Sequence, residues 1–87
     1  MAACNFSIEF SGTAEDITQK ARQIVEVKGG NFSGDTSTGK FDISMLGAGI
    51  AGSYTVNGNV LNITIEEKPF FVPCDTVENY FRYKLSQ

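Results

Sequence analysis

The segment Phe41–Ile65, FDISMLGAGIAGSYTVNGNVLNITI, predicts three consecutive strands of an antiparallel sheet. Apolar and polar residues alternate in Phe41–Met45, in Ile50–Val56 and again in Val60–Glu67. Such alternation is typical of strands with one buried and one solvated face. The rest of the chain must therefore supply a layer that covers the apolar face.

Two short connections divide this segment. Gly47-Ala48-Gly49 predicts a tight link between the first two strands. Asn57-Gly58 predicts a two-residue type I′ hairpin, because that turn needs positive φ at both central residues.

The flanking segments predict two helices and two more strands. In chain order they are a strand at Asn5–Ser11, a helix opened by Thr13 and ended by Gly29-Gly30, a short strand at Asn31–Gly34, and a helix capped by Asp75-x-x-Glu78. We therefore expect an α+β fold, β-α-β-β-β-β-α, with one antiparallel sheet of about five strands and two helices packed on one face. The 87 residues are expected to form a single domain, 1–87, because a chain of this length holds one modest core.

The net charge of −3 argues against nucleic-acid binding and against docking on anionic lipid, since both need a basic surface. No apolar run has the length of a transmembrane helix, and no signal peptide is visible. Two cysteines are few for a secreted disulfide scaffold, so we expect a reduced, cytoplasmic protein. The Asn-x-Ser/Thr sequences at Asn5, Asn31 and Asn62 are interpreted as chance matches.

The sequence GAGIAG at Gly47–Gly52 has the spacing of a dinucleotide-binding motif. That motif requires a helix directly after the glycines, whereas the residues that follow predict a strand. We therefore expect a turn and a strand glycine, with Gly52 allowing a close approach to the sheet.

The chain contains no histidine, which removes the common triads and the usual general base. No metal-ligand spacing is present, and we expect no catalytic residues, metal or cofactor. Cys74 precedes the second helix, where a thiol can be activated, or it is a small buried apolar residue. Whether Cys4 lies near Cys74 is left open.

The C-terminal part is rich in aromatic residues. Phe70 and Phe71 are consecutive, so in an extended segment one of them points away from the other. Phe70, Phe71 and Tyr83 are therefore candidate binding residues for an apolar ligand or a partner. The alternative is that this segment seals one end of the core.

From Gly49-Ile50-Ala51-Gly52 through Pro69-Phe70-Phe71-Val72-Pro73 to Leu85, the pattern resembles the small polyhydroxyalkanoic-acid-system (granule-region) proteins of bacteria. The layout resembles that family over residues 5–87, although the first helix looks short and the Asp35–Gly39 turn is polar. The resemblance implies a non-enzymatic cytoplasmic protein associated with storage granules.

Three hypotheses follow for the function. The first is a non-enzymatic binding domain that acts through a cleft between sheet and helices or through the aromatic segment. The second is a thiol-dependent enzyme or redox sensor that uses Cys74. The third is a homo-oligomeric module that pairs with itself through an uncovered sheet edge or a contiguous exposed apolar face.

Overall fold

The structure, a computed structural model, describes residues 3–45 and 47–85. Its elements are β1 (Cys4–Glu9), α1 (Ala14–Val27), β2 (Asn31–Gly34), β3 (Thr38–Met45), β4 (Ala48–Asn57), β5 (Val60–Glu67) and α2 (Cys74–Leu85). The predicted α+β class and element order are confirmed. The side chain of Met45, the last of the alternating residues in Phe41–Met45, is not described.

The five strands form one antiparallel sheet with the order β1-β5-β4-β3-β2. The segment β3-β4-β5 is a meander, as predicted, and β1 adds to the far side of β5. Both helices share one hydrophobic cluster with the inward residues of the sheet and contact each other. Neither of these helices is long and apolar enough to cross a membrane.

The two helices begin for different reasons. The Thr13 hydroxyl accepts a hydrogen bond from the Asp16 N–H at 3.1 Å and caps α1, as predicted. The predicted cap of α2 at Asp75 is wrong, because α2 already begins at Cys74 and Asp75 lies in its first turn. The Pro73 carbonyl accepts the N–H groups of Thr76 and Val77 instead.

The hairpin between β4 and β5 exists, but its turn lies one residue later than predicted. Asn57 pairs with Val60, so the two central residues are Gly58, with φ of 60°, and Asn59. This register places the inward Val56 opposite Leu61; a turn centred on Asn57-Gly58 would place it opposite the polar Asn59. Cross-strand apolar packing therefore outweighs the local turn preference.

Gly52 sets how closely the two layers pack. A Cβ atom there would lie 2.9 Å from Phe41 Cζ and 2.6 Å from the Thr64 carbonyl oxygen. The Phe41 ring lies over this glycine and contacts the Phe81 ring of α2 edge-on, with centroids 5.5 Å apart. The predicted close approach at Gly52 is thus made by an aromatic ring from the neighbouring strand.

The outer face of the sheet is polar. Ser7 donates a hydrogen bond to Asn62 Oδ1 at 2.7 Å, and Thr64 donates to Asn5 Oδ1 at 2.8 Å. The Asn-x-Ser/Thr sequences at Asn5 and Asn62 thus bond to each other across β1 and β5: the asparagine of each accepts from the hydroxyl of the other. These side chains therefore have a structural role.

We expect Gly52→Ala to lower the free energy of unfolding by about 1–3 kcal/mol, because the methyl group would overlap the Phe41 ring and the backbone of β5. Gly49→Ala is the matched control, since a Cβ atom at that position of the same strand meets nothing within 4 Å. Urea denaturation of both variants measures the difference. Equal stabilities would contradict the packing assigned to Gly52.

Candidate functional site

The connection between β5 and α2 contains a β-turn at Pro69–Val72. The Val72 N–H donates to the Pro69 carbonyl at 3.1 Å, so Phe70 and Phe71 occupy the two central positions. Central turn positions point away from the protein body. The segment is therefore a turn rather than the extended segment that the sequence prediction assumed.

Both phenylalanines of this turn are exposed, where one was expected to be. The Phe70 side chain is 96% exposed and that of Phe71 is 55% exposed. Their rings meet nearly perpendicularly, with centroids 5.8 Å apart. The segment does not seal the core with these rings, since it is Val72, at 0% exposure, that enters the core.

Turn geometry does not explain two phenylalanines at these positions. Central turn residues are usually glycine, proline, asparagine, aspartate or serine, each favoured for a conformational or hydrogen-bonding reason. Leaving a phenylalanine in water instead of burying it forgoes about 1.5–3 kcal/mol. The pair is thus a small, raised apolar surface, which is a candidate binding site.

A disulfide holds the C-terminal side of this turn. Cys74, the first residue of α2, is bonded to Cys4 of β1, with the two Cα atoms 5.7 Å apart. The expectation of reduced cysteines is wrong for this structure, because the pairing of β1 with β5 brings the N-terminal strand beside the start of α2. Cys74 therefore carries no thiol here, and the reactive-thiol hypothesis applies only to a reduced form.

The turn is flanked in sequence by more acidic than basic residues. Glu66 and Glu67 precede it and Asp75 follows it, and all three are exposed. Lys68, which also adjoins the turn in sequence, is half-buried, and its ammonium donates to the Pro69 carbonyl at 3.4 Å. The residues that flank the aromatic turn in sequence are therefore mainly acidic.

Tyr83, the third candidate binding residue, lies away from this turn. It is 63% exposed and lines a groove of about 430 Å³ together with Ile8, Glu9, Asn79 and Arg82. Nine residues of helix separate it from Cys74, which corresponds to roughly 14 Å. The structure thus brings Phe70 and Phe71 together and leaves Tyr83 at the other end of α2.

The other two surfaces proposed from the sequence are the interface between sheet and helices and the edge of the sheet. Between the layers, the Phe81 ring contacts both Phe6 and Phe41, with centroids 6.2 and 5.5 Å away. At the β1 edge, Arg82 donates to the Ser7 carbonyl at 2.9 Å and forms an ion pair with Glu78. One outward carbonyl of that edge is therefore occupied by a side chain of α2, which hinders addition of a further strand.

Within residues 3–45 and 47–85, no cluster of three or more carboxylate or cysteine side chains is placed to hold a metal ion. Comparison with protein families, curated proteins and solved structures finds no match to the chain. The candidate site therefore rests on its own geometry.

We expect Cys4→Ala/Cys74→Ala to lower the free energy of unfolding by about 2–5 kcal/mol, because the disulfide closes a loop of 70 residues in the unfolded chain. Denaturation with and without dithiothreitol measures the effect. The reductant should destabilise the native protein by a similar amount and leave the double variant unchanged. Rapid alkylation of both cysteines in the folded, untreated protein would contradict the disulfide.

Proposed function

We propose that this protein is a non-enzymatic binding domain that attaches to an uncharged apolar surface through Phe70 and Phe71. The supporting observation is the almost complete exposure of Phe70 at the centre of a turn anchored on both sides. Buried Val72 and the Cys4–Cys74 disulfide restrict the turn before binding, which lowers the entropy lost on association.

The charges around the turn favour an uncharged partner. Glu66, Glu67 and Asp75 would be repelled by anionic lipid head groups, whereas a neutral apolar polymer offers no such repulsion. The resemblance to granule-region proteins suggests one such surface, that of a polyhydroxyalkanoate storage granule. We therefore choose a polyhydroxyalkanoate particle as the partner.

The test is co-sedimentation with protein-free polyhydroxybutyrate particles. We expect Phe70→Ser/Phe71→Ser to weaken binding at least tenfold, because each ring contributes about 1.5–3 kcal/mol of apolar burial and 1.4 kcal/mol corresponds to a factor of ten. The variant should keep its stability to within about 0.5 kcal/mol, since both rings are exposed.

Tyr83→Ser is the matched control, because it removes an exposed aromatic ring at the other end of α2. It should bind the particles like the native protein. Vesicles of anionic phospholipid should bind neither the native protein nor Tyr83→Ser. The proposal would be contradicted if Phe70→Ser/Phe71→Ser and Tyr83→Ser lost particle binding equally, or if the native protein did not bind the particles.

A second candidate, a redox-sensitive form of the same domain, is favoured by the position of the disulfide next to the turn. A dithiol reductant would transfer two electrons and two protons to Cys4–Cys74, giving two thiols while the reductant becomes a disulfide. The released segment would lose its preorganisation. Each side chain that must then be ordered on binding costs about 0.5–1.5 kcal/mol.

We therefore expect dithiothreitol to weaken particle binding by the native protein roughly two- to tenfold, the range that this ordering cost implies. Cys4→Ala/Cys74→Ala should bind like the reduced protein and not respond to dithiothreitol. Unchanged binding after complete reduction, verified by thiol titration, would exclude the redox function and leave the binding domain intact.

A further inference from the structure

The two edges of the sheet differ in what their backbone groups contact. At the β1 edge the Ser7 carbonyl, in the middle of the strand, accepts a hydrogen bond from Arg82. At the opposite edge lies β2, a strand of four residues. The proposed attachment through Phe70 and Phe71 makes no use of either edge.

The hydrogen bonds between β2 and β3 fix which backbone groups of β2 point outward. The Asp35 N–H donates to the Thr38 carbonyl at 2.9 Å, and these two residues continue the β2–β3 register. Hydrogen-bonded and non-hydrogen-bonded pairs alternate along an antiparallel ladder, so Ser33 bonds to β3 as Asp35 does. The N–H and C=O groups of Phe32 and Gly34 therefore point away from β3.

Two distances agree with this alternation. A Cβ atom on Gly34 would lie 2.4 Å from the Gly39 Cα, as expected for the narrower, non-hydrogen-bonded pairs. The Asn31 nitrogen lies 3.3 Å from Asp42 Oδ1, so its N–H faces β3. Within the part of the chain that the structure describes, no group bonds to the outward N–H and C=O groups of Phe32 and Gly34. We call these four groups the β2 edge.

The composition of β2 favours the addition of a further strand. Natural edge strands are kept apart by lysine or other charges, by proline, by bulges or by a covering element. The sequence of β2, NFSG, contains no charge and no proline, and its register with β3 is continuous. The Asn31 and Ser33 side chains on the outer face are exposed and uncharged.

We propose that the β2 edge pairs with the β2 edge of a second copy of this chain. In an antiparallel register centred on Ser33, Phe32 of each copy lies opposite Gly34 of the other. Each of these two pairs exchanges two hydrogen bonds, so the outward groups of both strands are all satisfied. The sheet then continues from one copy into the other, with the helices of both copies on the same face.

The side chains on the helix side suit a second copy in this register. Phe32 is half-buried, since its ring stacks on Tyr54 at 5.4 Å and lies 5.1 Å from the Arg22 guanidinium. Gly34 of the second copy has no side chain, so it leaves space beside the Phe32 ring. An aromatic ring that covers a glycine of the opposite strand stabilises the pair. The two-fold axis repeats this contact, which an unrelated strand would lack.

The outer face of the interface contains no opposed like charges. Ser33 lies opposite Ser33 of the second copy, and Asn31 lies opposite Asp35 of the second copy. An amide that can donate thus faces a carboxylate that accepts. Cross-strand pairs of this kind stabilise a sheet, whereas like charges directly opposite each other destabilise it.

The inequality of the two edges limits the assembly to a dimer. Arg82 occupies the middle of the β1 edge, so copies pair through β2 alone and the assembly closes instead of continuing as a filament. The contact is short, and its area lies below the range of about 1,200–2,000 Å² for stable interfaces. We therefore expect a weak dimer, with a dissociation constant on the order of 0.1–1 mM.

The first test combines sedimentation equilibrium of the full chain with amide hydrogen exchange, at concentrations below and above this dissociation constant. We expect a reversible equilibrium between monomer and dimer. Exchange at Phe32 and Gly34 should slow in proportion to the dimer fraction. Exchange at Ser33, whose N–H already bonds to β3, should not change. This alternation distinguishes edge pairing from association through another surface.

The second test places charges at the centre of the interface. Ser33→Lys and Ser33→Glu each bring two like charges together, so each variant alone should dimerise about two- to fivefold more weakly. A mixture of the two variants should associate at least as tightly as the native protein, because opposite charges then meet. A folding defect would not be rescued by mixing. Thr55→Lys, an exposed position on the same face of β4, is the matched control and should dimerise like the native protein.

A chain that stays monomeric at every concentration would overturn the dimer. Protection that spares Phe32 and Gly34, or a mixture that associates no better than its components, would overturn it as well. Phe70→Ser/Phe71→Ser should dimerise like the native protein; loss of the dimer in that variant would assign the contact to the aromatic turn instead. The particle test and the dimer test can therefore fail independently.

Discussion

The pairing of β1 with β5 is the contact on which the other features of this fold depend. Six consecutive residue pairs, from Cys4–Ile65 to Glu9–Val60, join the first strand of the chain to the last. Closing this long loop has an entropic cost, which the burial of Phe6 and Ile8 offsets. The same pairing places Cys4 beside Cys74 and the outward carbonyl of Ser7 beside Arg82.

A second constraint sets the distance between sheet and helices. Phe81 of α2 contacts Phe6 on β1 and Phe41 on β3, so one ring joins strands that are not neighbours in the sheet. Phe41 reaches this position because Gly52 leaves space for its ring. The packing of α2 therefore depends on Gly52, the last glycine of the GAGIAG sequence, whose spacing matches a dinucleotide-binding motif.

The two exposed apolar surfaces, the aromatic turn and the groove between the helices, differ in the charged residues next to them. Phe70 and Phe71 are flanked in sequence by Glu66, Glu67 and Asp75, whereas Val27 and Tyr80 line a groove together with Lys20 and Lys84. The aromatic turn is anchored by a disulfide and the groove by two packed helices.

The sequence by itself determined the α+β class, the strand alternation and the start of α1 at Thr13, because these follow from periodicity and capping within a few residues. It also identified Phe70 and Phe71 as binding candidates from their type and position. Three features were decided only by the tertiary structure. The hairpin turn moved to Gly58-Asn59 because Val56 packs opposite Leu61; Cys4 and Cys74 became partners because β1 lies beside β5; and both phenylalanines became exposed because Val72 fills the core. Each depends on contacts between residues distant in the chain, and no local pattern encodes such contacts.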